Sequence, residues 1–128
     1  MKKVFIILVV VIIFVLGGFL LLTSKANTAL ETMLYEKIDM KLVADGIYQG
    51  ETNAGLVIVK VDVSVKDHAI DNIDIIEHQN GLGGKAESIT DRMIEQNNYD
   101  VDAVSGATLS SEAIKSAVSK ALKKGYSD

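Results

Sequence analysis

The chain contains no cysteine and no proline. Without cysteine there are no disulfides, no thiolate metal sites, no CxxCH haem attachment and no lipidated N-terminal cysteine. Proline ordinarily makes up about 5% of residues, and its absence excludes Pro-rich linkers and PxxP ligands. Histidine is scarce: only His68 and His78 are present. No HxxxH or HExxH spacing exists, and a metal centre needs three or four ligands. No GxSxG elbow is present to place a nucleophilic serine.

What the chain has in excess is apolar residues, 48% of its 128, and they are unevenly spread. Val4 to Leu22 is an unbroken run of 19 uncharged, apolar residues. At about 1.5 Å per residue it spans roughly 28 Å, close to the hydrocarbon thickness of a bilayer. A signal peptide core is shorter, about 7–15 residues, so the run reads as an uncleaved signal anchor. A cleaved leader is the alternative, since Ser24-Lys25-Ala26 offers small residues around a cleavage site. Lys2 and Lys3 precede the run, and the positive-inside rule keeps that end cytoplasmic. The expected placement is therefore a single-pass cell-membrane protein with its C-terminal domain on the extracytoplasmic side. With those two lysines set aside, 11 basic residues face 17 acidic ones, a balance of −6. Nucleic-acid binding is not expected of such a surface.

Three segments follow: a signal anchor over 1–23, a juxtamembrane helical linker over 24–44 and a domain over 45–125. In the linker, Ala29, Leu30, Met33, Leu34 and Ile38 recur at helical spacing, predicting a helix from Ala26 to about Met40. In the domain, Asp45-Gly46 marks a turn and Ile47 to Gly50 a short strand. Val57, Val59, Val61, Val63 and Val65 then alternate with Ile58, Lys60, Asp62, Ser64 and Lys66, which is a half-buried strand. Lys66-Asp67-His68 reads as a hairpin turn with His68 solvated. A second strand carries Ile73 and Ile75 and ends near Glu77. Asn80-Gly81-Leu82-Gly83-Gly84 is a loop, and Ala86, Ile89, Met93 and Ile94 predict a helix that ends at Gln96-Asn97-Asn98. A last helix carries Ala113, Ile114, Ala117, Val118, Ala121 and Leu122, with Ser110 or Ser111 as its N-cap and Gly125 as its stop. Strands precede helices, so the expected fold is α+β: an antiparallel valine-rich hairpin sheet covered by two C-terminal helices, preceded by one transmembrane helix.

Gly81 to Ala86 matches GxGxxA literally. A dinucleotide site would need a parallel βαβ unit, which a hairpin does not supply. A loop that lets backbone approach a flat ligand remains open, with Gly81, Leu82 and Gly83 as its contact residues. The segment Asp102-Ala103-Val104-Ser105-Gly106-Ala107-Thr108-Leu109-Ser110-Ser111 is richer. It is a small-residue loop that empties into a helix N-terminus, where unpaired amides and the helix dipole favour a phosphate. Gly106 and Ala107 remove bulk, and Ser105, Thr108, Ser110 and Ser111 bring hydroxyls.

Asp102-Ala103-Val104-Ser105-Gly106-Ala107-Thr108 resembles the flavinylation motif D-x-x-[ST]-G-A-T of the FMN-binding domain family, which includes the G subunit of Rnf complexes and the C subunit of the sodium-pumping NADH:quinone reductase. Asp45 to Gly50 is similar to the family's opening D-G-x-Y-x-G. Glu77 to Gly83 resembles its E-x-x-x-P-G-L-G stretch, with Asn80 where proline is usual. The resemblance covers about Asp45 to Leu122. It implies covalent FMN, joined by a flavin transferase from FAD to Thr108 as a phosphodiester. Asp102, Ser105, Gly106, Ala107, Ser110 and Ser111 then surround the cofactor, with Asp102 orienting the loop or being read by the transferase. The function implied is a membrane-anchored electron carrier between a membrane-bound redox donor and an acceptor. The alternative is an FMN-dependent reductase of a small substrate, for which Glu77, His78 and Lys85 are the available charges.

Overall fold

The computed structural model describes residues 1–79 and 84–126, with backbone only at 25–28 and 30–32. Helix α1 runs from Lys2 to Thr32. Its Lys2–Ser24 portion has a mean hydropathy of 3.4 and none of it is buried within the protein, so it is long and apolar enough to cross a membrane.

Three antiparallel strands follow in the order β1 (Gly46–Asn53), β2 (Ile58–Lys66) and β3 (Ala69–Gln79). The valine alternation is borne out: Val59, Val61 and Val63 are fully buried, and Val57 and Val65 nearly so. The β2–β3 turn consists of Asp67 and His68 alone, both at positive φ (52° and 60°), the geometry that matches strand twist in a two-residue hairpin. Neither residue is glycine, so neighbours brace the turn. The Asp67 amide donates to Asp45 Oδ1 at 2.8 Å, Asn97 Nδ2 donates to the His68 carbonyl at 3.1 Å, and His68 Nδ1 lies 3.0 Å from the Val43 carbonyl. His68 is exposed, yet its ring is held in place rather than simply solvated. Register shifts between Lys60 and Val61 and between Ser64 and Val65 mark two bulges in the β2–β3 pairing. They keep Ile70, Ile73 and Ile75 turned toward the core.

Helix α2 (Ile89–Gln96) packs on β3, and α3 (Thr108–Lys124) lies across β1 and β2. The expected α+β arrangement of sheet, covering helices and preceding apolar helix is what the chain adopts. α3 approaches β1 closely at Gly50, where any Cβ would stand 1.9 Å from the Ala117 carbonyl oxygen. Only glycine permits that packing. Lys120 Nζ donates to the Glu51 carbonyl at 3.3 Å and to Thr52 Oγ1 at 3.1 Å, and Lys124 Nζ donates to the Gln49 carbonyl. These lysines therefore cover an open strand edge as well as suiting the helix C-terminus.

The linker departs from its expected helix. α1 continues unbroken to Thr32, and residues 33–39 are neither helix nor strand. The reason is on α3. The Leu34 carbonyl accepts from Ser116 Oγ, and the Glu36 amide donates to Ser119 Oγ at 3.1 Å. The Asp39 amide donates to the Tyr126 hydroxyl. A helix would use those backbone groups internally; as a strap they bind two buried serines of α3 and the Tyr126 hydroxyl beyond it. Met33 and Ile38, read as a helical stripe, pack against the core from this strap. α3 is thus covered by the sheet on one side and the strap on the other, and Ser110–Ser119 is buried except at Glu112.

Candidate functional site

The loop between α2 and α3 delivers the chain to the exposed Thr108. Val101 and Ala107 are buried and anchor its two ends. The Ala107 amide donates to the Val104 carbonyl at 3.0 Å, closing a turn with Ser105 and Gly106 at its centre. Gly106 has φ +78°, the value that the third residue of a type II turn requires and that glycine adopts without strain. Below the turn, Ser111 Oγ accepts the Val104 amide at 2.9 Å. The Ser111 amide donates to the Ala107 carbonyl at 2.9 Å, the first bond of α3.

The helix therefore starts at Thr108, with Ala107 at the N-cap position and no side-chain cap. This corrects the expectation that Ser110 or Ser111 caps the helix. Both lie inside its first turns and are buried, at 3% and 0% exposure, and the Ser111 hydroxyl is used from within to hold the loop. Thr108 is exposed, as are Ser105 and Gly106. An exposed hydroxyl thus stands on the first residue of a 17-residue helix whose leading amides have no side-chain partner. That is a setting that favours an anion.

Asp102 is exposed and, among the described residues, makes no hydrogen bond or ion pair. The carboxylate that holds the loop to the domain is Asp100, 3.0 Å from Lys115 Nζ on α3. Lys115 also meets Glu112 Oε1 at 3.4 Å, and Glu112 Oε2 accepts from the Tyr35 hydroxyl at 2.5 Å. One charged chain therefore ties loop, helix and strap together. Burial alone would depress the Lys115 ammonium, but the Asp100 and Glu112 carboxylates outweigh it and raise its pKa. Burial, and then Glu112, push the Tyr35 phenol well above its usual range. Burial, and then Asp100, also raise Tyr99. Sequence reasoning missed this network, although a lysine between Ile114 and Ser116 on a buried helix was the signal available.

Across the loop lies the tight helical turn Gly84–Ser88. Ala86 is fully buried, and Glu87 Oε1 lies 3.0 Å from Nδ1 of His78, whose side chain is 2% exposed. Lys85 reaches over the motif: a Cβ at Gly106 would come within 2.8 Å of its Nζ and 3.5 Å of its Cε. Of the three charges considered for a substrate-reducing site, Lys85 reaches the Thr108 loop, while His78 is tied to Glu87 and Gln79 Nε2 donates to Glu77 Oε1 at 3.2 Å. Gly81, Leu82 and Gly83 lie outside the described residues.

The family model for the FMN-binding domain matches residues 55–123, more than half of the chain. The chain belongs to the FMN-binding domain family. The match takes in β2, β3, α2, the Asp102–Thr108 motif and nearly all of α3. Comparison with curated proteins and comparison with solved structures each gave no match. The residues present suit a phosphate-bearing flavin. The Thr108 hydroxyl is at the surface, the helix start has no side-chain cap, and a lysine stands against the one motif residue without a side chain.

Proposed function

We propose that this flavoprotein carries FMN covalently on Thr108 and relays electrons as a membrane-anchored carrier outside the cytoplasm. The observation that carries the reading is the complete Asp102-x-x-Ser105-Gly106-Ala107-Thr108 motif, with Thr108 exposed at the uncapped start of α3. In maturation the Thr108 oxygen attacks the FMN-side phosphorus of FAD. A new O–P bond forms, the pyrophosphate P–O bond breaks, AMP leaves with that electron pair, and the hydroxyl proton passes to the transferase or to solvent. The product is a phosphodiester, and the bound FMN supplies redox chemistry through its ring.

The chain's own residues hold and present that group. The amides of the first α3 turn would hold the phosphate, Ser111 and Lys115 brace the loop, and the exposed Asp102, without a partner among the described residues, is placed for recognition by the transferase rather than for loop support. A covalent tether suits a site outside the cell, where a dissociable cofactor would be lost. The Lys2–Ser24 helix supports anchoring, and Lys2 and Lys3 support an outward-facing domain. The partners are the flavin transferase, a membrane-bound electron donor and an acceptor.

Thr108→Val keeps the branching and removes the nucleophile. Produced with a flavin transferase, the wild-type chain should show flavin fluorescence after denaturation and the variant none, with unchanged folding by circular dichroism. Covalent flavin surviving in the variant would move the attachment elsewhere.

A further inference from the structure

We infer that Lys85 is the charge partner of the phosphodiester at Thr108, an inference that rests on the covalent reading above. Lys85 Nζ lies against the backbone of Gly106, two residues before the attachment threonine, in space that any Cβ would invade at 2.8 Å. Gly106 takes a φ of +78°, and the Lys85 ammonium rests where a side chain on it would begin.

The other lysines of the domain that the structure pairs are already engaged. Lys60 meets Glu51, Lys115 meets Asp100 and Glu112, Lys120 and Lys124 bond β1, and Lys123 lies 4.2 Å from the Tyr126 ring centre. Lys85 makes no ion pair or hydrogen bond through its amine among the described residues, yet it is directed at the motif. Its backbone is fixed. Ala86 beside it is fully buried, Ser88 Oγ donates to the Lys85 carbonyl at 3.0 Å, and Glu87 is tied to His78. An ammonium is a compact point charge well suited to one phosphate oxygen. A phosphodiester at Thr108 adds an anion to a domain that is already acidic and whose exposed Asp102 lies in the same loop. Lys85 offsets that charge at the site where it appears, while the helix amides approach from the other end of the motif.

The test uses the full chain in detergent, produced with a flavin transferase, beside the Thr108→Val chain. Both are acetylated with limiting acetic anhydride, and each lysine is followed by peptide mass spectrometry. Lys85 should react about three- to fivefold more slowly in the flavinylated chain, the range an exposed ion pair supports, while Lys60 and Lys66 react alike in both. The ³¹P resonance of the phosphodiester should move in Lys85→Met and return toward the wild-type position in Lys85→Arg. Equal acetylation of Lys85 in the two chains overturns the inference, as does protection without any ³¹P shift, which would place Lys85 under the ring instead. A wild-type chain without covalent flavin fails earlier and removes the Thr108 reading with it.

Discussion

The body and the first turn of α3 follow opposite rules. From Ser110 to Leu122 the helix is buried almost throughout, and its serines bond the strap and the neighbouring strand: Ser116 meets Leu34 and Thr52, and Ser119 meets Glu36. At the first turn there is no side-chain cap, Thr108 is exposed, and the preceding turn is formed by Ser105 and Gly106 at the surface. One helix thus lies at the centre of the core along its body and opens to the surface at its start. The rigid body makes the open end possible, because an under-satisfied helix start holds its geometry only if the rest of the helix cannot move. On the proposed reading, stability and function are separated along a single element, and substitutions should fall into two classes accordingly.

The largest effect is expected in the body. Gly50→Ala drives a methyl group into the Ala117 carbonyl, so β1 and α3 must separate. The expected cost is about 3 kcal/mol, or more than about 10 °C in the melting temperature of a domain this size. Thr108→Val should leave the same melt unchanged. Thermal unfolding by circular dichroism checks both, and equal losses in the two variants would erase the distinction.

Lys115→Met comes next, because Lys115 joins the body to the loop. Asp100 is largely exposed and its charge is screened, so the expected cost is about 1–2 kcal/mol rather than that of a fully buried pair. The pH dependence has a definite sign. The folded-state pKa of Lys115 is raised, so its contribution is complete at neutral pH and is lost as pH climbs past about 10.4, the ordinary lysine value. Tyr35, also raised, acts in the same direction. The wild-type melting temperature should therefore fall more steeply in alkali than that of Lys115→Met, and parallel curves would show that the network contributes nothing.

The smallest effect is expected at Ser111. Ser111→Ala leaves the Val104 amide without its acceptor, at about 1 kcal/mol. Amide exchange at Val104 should quicken while exchange at Ile114 and Val118 stays slow. Uniform quickening along α3 would mean that the loop and the body open together.

Much of this division was legible in the chain. The valine alternation placed β2, the Lys66–His68 break placed the hairpin turn, and the complete motif singled out Thr108. The helix start was misread because Ser110 and Ser111 look like caps by residue type, and nothing local says that a hydroxyl is used from inside the helix. The strap was misread for a related reason. Its apolar spacing suits a helix, but Leu34, Glu36 and Asp39 give their backbone groups to residues more than 80 positions away. Gly50 looked like a motif letter, and its reason appears only when α3 lies against it. Lys85 and Gly106, or Tyr35 and Glu112, carry no mutual signal in sequence, because only the tertiary fold brings them together.

The central claim is that the open end of α3 carries the cofactor. It is tested most directly by digesting the wild-type chain, produced with a flavin transferase, and locating the adduct by tandem mass spectrometry. The account predicts one FMN, less one water, on Thr108. An adduct on Ser105 or Ser110, or flavin lost entirely on denaturation, would contradict it.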